Sequence, residues 1–286
     1  GVQTCALPIF PEVLEETPGF FHSFSAQNVS FIPLVARLRM ELCSPNLDAE
    51  AERGGILNSS RTRNAGTSNV IETLAYRAYG NEAIFDTECL ATMRRLRETG
   101  LFRKRDIRDY RLLAKCVCWS NFKEKIFKFL FDWDPDALGH PSDYYQRLPL
   151  HSAATSKSIQ NFRAVLEAGI SKFPKRGKGI NFLFRKDQWG HTPFFFACKE
   201  HGTKKVLKVV EKTLADCCPL QQDATGALLL AILDDKIHLD GVYFLLRREP
   251  DLLAKFLSTA AEGATSSSGS GTDTSHASGV NDNING

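Results

Sequence analysis

The chain has 286 residues, of which 43% are hydrophobic, and a formal net charge of +3 at pH 7. This hydrophobic share is enough for a buried core, and the length suits one extended domain or two compact ones. No segment approaches the roughly 18 uninterrupted apolar residues of a membrane-spanning helix. The composition therefore argues against an integral membrane protein.

The first nine residues, GVQTCALPI, resemble the conceptual translation of a sequencing-library adapter. We interpret residues 1–9 as an artefact, which would exclude Cys5 from the protein and mean that the native N-terminus is missing. A genuine short apolar N-terminus is the alternative. Under the first interpretation, the lack of a signal peptide says nothing about the cellular compartment.

A pattern of two short helices recurs along the rest of the chain. Self-similarity at about 33 residues is typical of a helical solenoid. The copies cover residues 30–57 (damaged), 69–100 (loose), 110–138 (degenerate), 148–169, 187–214 and 225–253.

The copy at residues 187–214 shows the pattern most clearly. Thr192 is typical of a helix N-cap, Pro193 of the first helical position, and Gly202 of a left-handed helix end. The following helix has an apolar stripe opposite a row of lysines. The stripe contains Val206, Leu207, Val210 and Leu214, and the row contains Lys204, Lys208 and Lys212. Because two such helices cannot bury their own apolar faces, we expect neighbouring copies to stack on them.

Two motifs, GHTPFFFACKEHG at 190–202 and LPLHSAA at 148–154, resemble the G-x-T-P-L-H-x-A…G signature of the ankyrin repeat. The segments WDPDAL, LPLHSAA, GINFLFRKD and IHLDGVYFLLRREPDLL resemble more closely still a large set of uncharacterised diatom ankyrin-repeat proteins. This resemblance is strong over residues 110–257 and weak over 30–109. The resemblance implies an all-α ankyrin-type solenoid of about five to six repeats that binds proteins and has no known activity. It also implies that His151 hydrogen-bonds the neighbouring loop. Phe195 occupies the equivalent position in the next copy.

This resemblance divides the chain into four parts. Residues 1–9 are the artefact, 10–105 degenerate N-terminal helical repeats, 106–257 ankyrin repeats, and 258–286 a tail. The tail is rich in Gly, Ser, Thr, Asn and Asp and nearly free of large apolar residues, so we expect it to be disordered.

The repeat pattern contains one irregularity. Pro149 and Pro193 occupy matching positions 44 residues apart, where one repeat takes about 33. The excess lies in ISKFPKRGKGINFLF at 170–184. We expect the helix before it to end near Gly169, and the apolar end of the insertion, Ile180, Phe182, Leu183 and Phe184, to return to the core. The insertion is either part of a binding face or a tolerated surface loop.

The sequence indicates no catalytic or metal-binding pattern. The cysteines form no C-x-x-C pair, which favours buried structural thiols in a reducing compartment over metal or redox work. The segment KRGKG lacks the frame of a phosphate-binding loop, and no nucleophile–base set or carboxylate pair stands out. We therefore expect no enzyme activity, cofactor or metal, and an intracellular protein of the cytoplasm or nucleus. An enzyme of unrecognised type is a remote alternative.

Candidate partner-binding residues lie in the turn before Pro193. In ankyrin stacks, loop tips and first helices line the groove where partners dock, which implies such a role for Asp187, Gln188, Trp189 and His191. An exposed tryptophan in a turn is typical of an interface anchor. The alternative is a ring folded back over the preceding repeat. We expect a monomer that binds one or more proteins.

Charge is unevenly distributed along the chain. Residues 172–212 contain eleven basic and three acidic residues, a net charge of +8 that leaves −5 for the remainder. One interpretation is a solvated helix face. The other is a basic surface for an acidic protein, a nucleic acid or another phosphate-bearing partner. That surface would combine Lys175, Arg176 and Lys178 of the insertion with Lys204, Lys208 and Lys212.

Overall fold

A computed structural model gives the structure of the chain. It describes residues 29–42, 53–57, 60–62, 66–76, 82–117, 122–142, 144–173, 178–217 and 224–248, with residues 251, 254 and 258. The described part is predominantly helical, which confirms the predicted class. The interpretation of residues 1–9 lies outside the described residues, as does the predicted tail apart from Ser258.

The described residues contain thirteen α-helices, two short strands and two 3-10 turns. The helices are α1 (Ile32–Leu42), α2 (Val70–Tyr76), α3 (Glu82–Glu98), α4 (Asp106–Asp109), α5 (Leu112–Cys116), α6 (Glu124–Trp133), α7 (Pro149–Ala154), α8 (Ile159–Lys172), α9 (Lys178–Asn181), α10 (Pro193–His201), α11 (Thr203–Cys217), α12 (Ala224–Leu233) and α13 (Leu239–Arg248). The strands are β1 (Ser60–Thr62) and β2 (Gly66–Ser68), and the 3-10 turns are Pro135–Gly139 and Phe182–Phe184.

Each of the five predicted copies after residue 57 folds as a helix pair. The pairs are α2–α3, α5–α6, α7–α8, α10–α11 and α12–α13. The first helices pack in series, α2 on α5, α5 on α7 and α7 on α10, while α3 packs on α6 and α8 on α11. Each of these pairs therefore covers the apolar face of a neighbour, as their amphipathic patterns require.

The predicted damaged copy at residues 30–57 contributes α1 and a turn at residues 53–57, and residues 43–52 lie outside the described part. A buried ion pair holds the turn, because Nη2 of Arg53 donates to Oδ1 of Asp106 at 2.9 Å. Nη1 of Arg53 also donates to the backbone oxygen of Leu101 at 3.0 Å. These bonds connect the turn to the start of α4.

The strands β1 and β2 were not predicted. They form an antiparallel hairpin in which Arg61 faces Thr67. Each strand has three residues, so the hairpin is a local addition ahead of α2.

The helix signals in the copy at 187–214 are confirmed. Oγ1 of Thr192 accepts a hydrogen bond from the backbone N–H of Phe195 at 3.1 Å, and Gly202 ends α10 with φ of 85°. On α11 the predicted stripe is buried except for the half-buried Leu207, and the lysine row is exposed. The side chain of Ala197 is fully buried between the helices.

The prediction that α8 ends near Gly169 was wrong, because the helix continues to Lys172. Gly179 allows α9 to approach α8 near Gly169. A Cβ atom built on Gly179 of α9 would lie 2.4 Å from the backbone oxygen of Gly169. A glycine at this crossing is therefore required by close packing rather than by a helix end.

The apolar end of the insertion returns to the core, as predicted, with Ile180, Phe182, Leu183 and Phe184 all buried. The last helix pair rests on it, since α12 packs against α9 and α13 against the 3-10 turn Phe182–Phe184. The ring of Phe184 lies 5.6 Å from that of Phe194 on α10 and 5.3 Å from that of Phe244 on α13. The insertion thus joins the last pair to α10, an arrangement that the repeat pattern did not predict.

Candidate functional site

Two adjacent turns bring exposed aromatic side chains together. The first tip, residues 144–147, precedes α7, and the second tip, residues 187–191, precedes α10. The backbone N–H of Gln188 donates to the backbone oxygen of Tyr145 at 3.2 Å and joins the tips. Tyr144, Tyr145 and Trp189 are 72%, 41% and 52% exposed. These three side chains and Phe195, which is also exposed, are called the aromatic surface below.

A buried carboxylate fixes the geometry of both tips. Oδ1 of Asp187 accepts hydrogen bonds from the backbone N–H groups of Trp189 and His191, each at 2.9 Å. Oδ2 accepts from Nε of Arg147 on the first tip at 3.1 Å. The Asp187 side chain is fully buried. Asp187 therefore positions the neighbouring residues and is not itself available to a partner, contrary to the sequence-based expectation.

The ring of Trp189 packs on the preceding repeat and is also exposed, so both interpretations of this residue hold in part. The ring stacks on Tyr145 of the preceding tip, with centroids 5.3 Å apart and planes inclined by 30°. It nevertheless remains about half exposed. Tyr144 meets Tyr145 edge to face, with centroids 4.6 Å apart and an interplanar angle of 88°. The two tyrosines and Trp189 therefore form one contiguous exposed group.

Arg147 lies within this aromatic group. Its Cζ atom is 5.2 Å from the ring centroid of Trp189, 4.8 Å from that of Phe196 and 5.9 Å from that of Tyr145. These distances are typical of cation–π interactions. The guanidinium therefore stabilises both tips through charge as well as through its bond to Asp187.

His191 extends the group onto α10. Its ring stacks on that of Phe195, with centroids 4.9 Å apart and planes inclined by 13°. Phe195 is exposed, although it occupies the position that His151 holds in the preceding copy. Sequence reasoning assigned no partner-binding role to Phe195. The available signal was its position outside the helically spaced set Phe194, Ala197 and Cys198 on α10.

The residues Tyr144, Tyr145 and Arg147 were also missed by the sequence analysis. The available signal was the pair of adjacent tyrosines in the polar turn before Pro149. Of the predicted residues, the structure places Gln188, Trp189 and His191 together on the second tip, all exposed.

His151 is a buried residue of α7 that links this helix to the second tip. Its Nδ1 atom accepts from the backbone N–H of Leu148 at 2.9 Å, and its Nε2 atom donates to the backbone oxygen of His191 at 3.3 Å. Burial lowers the pKa of His151 to about 4, so the ring is neutral at pH 7. The bond to a neighbouring loop that the resemblance implied is thus present.

The structure describes the side chains of three of the six predicted basic residues. Lys204, Lys208 and Lys212 are exposed along α11. Lys175, Arg176 and the side chain of Lys178 lie outside the described part of the chain. Their combination into one basic surface stays a prediction.

In the part of the chain that the structure describes, no group of three or more His, Cys, Asp or Glu side chains could hold a metal ion. Cys89 is buried, and burial raises the pKa of its thiol to about 12. Since the thiolate is the reactive form, this cysteine is unreactive at neutral pH.

Comparison with known proteins identifies no relative, because no family model, curated protein or solved structure matches the chain. None of the helices in the described ranges has the length and apolar character needed to cross a membrane.

Proposed function

We propose that the chain is an ankyrin-type repeat scaffold that binds other proteins through the aromatic surface and has no catalytic activity. The observation that carries the proposal is the exposure of Tyr144, Tyr145 and Trp189 on two hydrogen-bonded tips. Aromatic residues of this kind are enriched in protein interfaces, where Tyr and Trp supply much of the binding energy. Because these rings are held together on the surface rather than in the core, they favour partner binding over a packing role.

The ankyrin-type arrangement is supported by the serial packing of α2, α5, α7 and α10. It is also supported by Pro149 and Pro193 at matching helix starts and by the bond from His151 to the second tip. The last helix pair departs from a regular stack because it rests on the insertion. We further propose that the protein is an intracellular monomer. A buried thiol outside any disulfide, such as that of Cys89, is typical of a reducing compartment.

Partner capture with a matched control tests this function. Trp189→Ala and Tyr145→Ala should each reduce the amount of captured partner at least tenfold, as expected for an interface anchor. Tyr243→Ala is the control, because Tyr243 on α13 is a similarly exposed aromatic outside both tips. Circular dichroism of each variant verifies that the helices remain intact. Equal capture by wild type, Trp189→Ala and Tyr243→Ala would refute the proposal.

The second candidate function is binding of a nucleic acid or a phosphate-bearing ligand through the basic stretch 172–212. The exposure of Lys204, Lys208 and Lys212 on one helix favours it. A mobility shift of labelled duplex or single-stranded nucleic acid that is lost at moderate salt would support this candidate, because phosphate contacts weaken as salt rises.

A further inference from the structure

The exposed side chains at the two tips are rich in hydrogen-bond donors. Trp189 and Arg147 can only donate, and the tyrosine hydroxyls can donate as well as accept. The Arg147 side chain is 35% exposed and uses Nε in its bond to Asp187. Asp187 itself is buried, so its carboxylate does not face a partner. A partner with many free acceptors and few donors therefore suits this surface.

The aromatic group does not suit a cationic ligand. The Arg147 guanidinium already lies within 6 Å of three ring centroids, the position that a lysine or arginine of a partner would otherwise take. A second cation there would meet a like charge. The second tip also belongs to the stretch 172–212 with its net charge of +8, which favours neutral or acidic partners.

The surface is organised before a partner arrives. The two backbone bonds to Asp187 fix the second tip. The bonds from Gln188 to Tyr145 and from Arg147 to Asp187 fix the tips relative to each other. Tyr144 meets Tyr145 edge to face and Tyr145 stacks on Trp189, so three partly exposed rings lie side by side as a surface on which an apolar ring can pack. Little conformational freedom is lost at such a site on binding.

We infer that the aromatic surface binds an extended, proline-rich segment of the partner, an inference that rests on the proposed function. Proline has a backbone acceptor but no N–H donor, and a polyproline II segment leaves its carbonyl groups free of internal bonds. A helical partner would already have used most of its carbonyl groups internally. Proline rings also pack on aromatic side chains at a low entropic cost, since the segment is extended before binding.

The indole N–H signals of the full chain provide the readout. The chain contains three tryptophans, and Trp189→Phe assigns the signal of Trp189 in a ¹⁵N-labelled sample. The probes are a peptide of about ten prolines, a Gly-Ser peptide of equal length and an oligothymidylate, each titrated separately. We expect the proline peptide to shift the Trp189 signal saturably, with an affinity at least tenfold above that of the Gly-Ser peptide. Tyr145→Ala should weaken proline binding at least tenfold, and Tyr243→Ala should leave it unchanged.

Three results would overturn the inference: equal binding of the proline and Gly-Ser peptides, binding of the oligothymidylate alone, or no shift of the Trp189 signal by any probe. The capture experiment distinguishes failure of this inference from failure of the proposed function. If Trp189→Ala still loses the captured partner while the proline peptide does not bind, the interaction surface stands and the partner chemistry is wrong. If Trp189→Ala captures the partner normally, the interaction surface itself is wrong.

Discussion

His151 and His191 connect two neighbouring helix pairs, since Nε2 of the buried His151 donates to the backbone oxygen of His191 at 3.3 Å. Protonation of the ring would turn Nδ1 into a donor and break its bond from Leu148, whereas Nε2 would still donate to His191. The bond that holds the start of α7 therefore depends on the protonation state of one imidazole, which also carries the contact to the second tip.

The stability of the protein should fall on mild acidification. The pKa of His151 is lowered to about 4 in the folded state, against 6.5 for an unperturbed histidine. Its contribution is complete above pH 6.5 and is lost as pH falls from 6.5 to about 4, because only the unfolded state takes up the proton there. The loss is at most about 1.4 kcal/mol per pH unit. Urea unfolding of the wild type and of His151→Asn at several pH values measures this loss of unfolding free energy.

The His151→Asn variant should be less stable at pH 7 and show a smaller dependence of its unfolding free energy on pH. Burial also lowers the pKa of His201, so part of the dependence will remain. An unchanged pH dependence in His151→Asn would contradict the assignment. His140→Asn is the control, because His140 is exposed.

Asp187→Asn should loosen both tips. The variant keeps the size of the side chain and one acceptor oxygen for the two backbone N–H groups, but it removes the charge and replaces the oxygen that accepts from Arg147 with a donor. We expect a loss of about 2–3 kcal/mol, since Arg147 is left without its buried counter-charge but is partly exposed. Asp136→Asn is the matched control at an exposed carboxylate 3.8 Å from Arg108, and it should change stability by less than about 0.5 kcal/mol. Equal effects of the two variants on urea unfolding would argue against the role of Asp187.

Ala197 and Lys208 test the assignment of helix faces. Ala197 is fully buried, so Ala197→Leu should overpack the contact between helices and destabilise the fold by roughly 1–3 kcal/mol. Lys208 is exposed on α11, and Lys208→Ala should change the unfolding free energy by less than about 0.5 kcal/mol. Thermal unfolding followed by circular dichroism compares them. Similar shifts for both would mean that the faces are assigned wrongly.

Gly179→Ala should disrupt the crossing of α8 and α9. A Cβ atom at Gly179 would lie 2.4 Å from the backbone oxygen of Gly169, and backbone cannot give way as a flexible side chain does. We expect a loss of roughly 1–3 kcal/mol or more. Hydrogen exchange should locate the weakening in α9, α12 and α13. Lys172→Ala, an exposed position on α8, is the control, and normal exchange in α12 of Gly179→Ala would contradict the prediction.

The helix pairs could be predicted because their signals are local. Thr192, Pro193 and Gly202 mark the ends of α10 within its own sequence, and the stripe of α11 shows its buried face. Trp189 could be identified as a candidate because it lies in a polar turn. These inferences need only the spacing of residues along one segment.

Contacts between distant segments could not be predicted in the same way. The docking of α12 on the insertion depends on pairs such as Asn181 and Ala227, whose side-chain nitrogen and backbone oxygen are 3.2 Å apart across 46 positions. The stacking of Tyr145 on Trp189 likewise depends on how two tips meet. Neither arrangement leaves a periodic trace in the sequence.

The position of the insertion also limits how this chain can be shortened or extended. In a regular repeat protein each unit touches only its neighbours, so units can be added or removed without redesigning the others. Here α12 and α13 rest on α9 and on the turn Phe182–Phe184, which come from a segment ahead of α10. Deleting residues 170–184 to restore a regular spacing would therefore remove the support of a helix pair that begins forty positions after Phe184. The helices from α8 to α13 therefore depend on one another for their packing, and single repeats within this region cannot be exchanged independently.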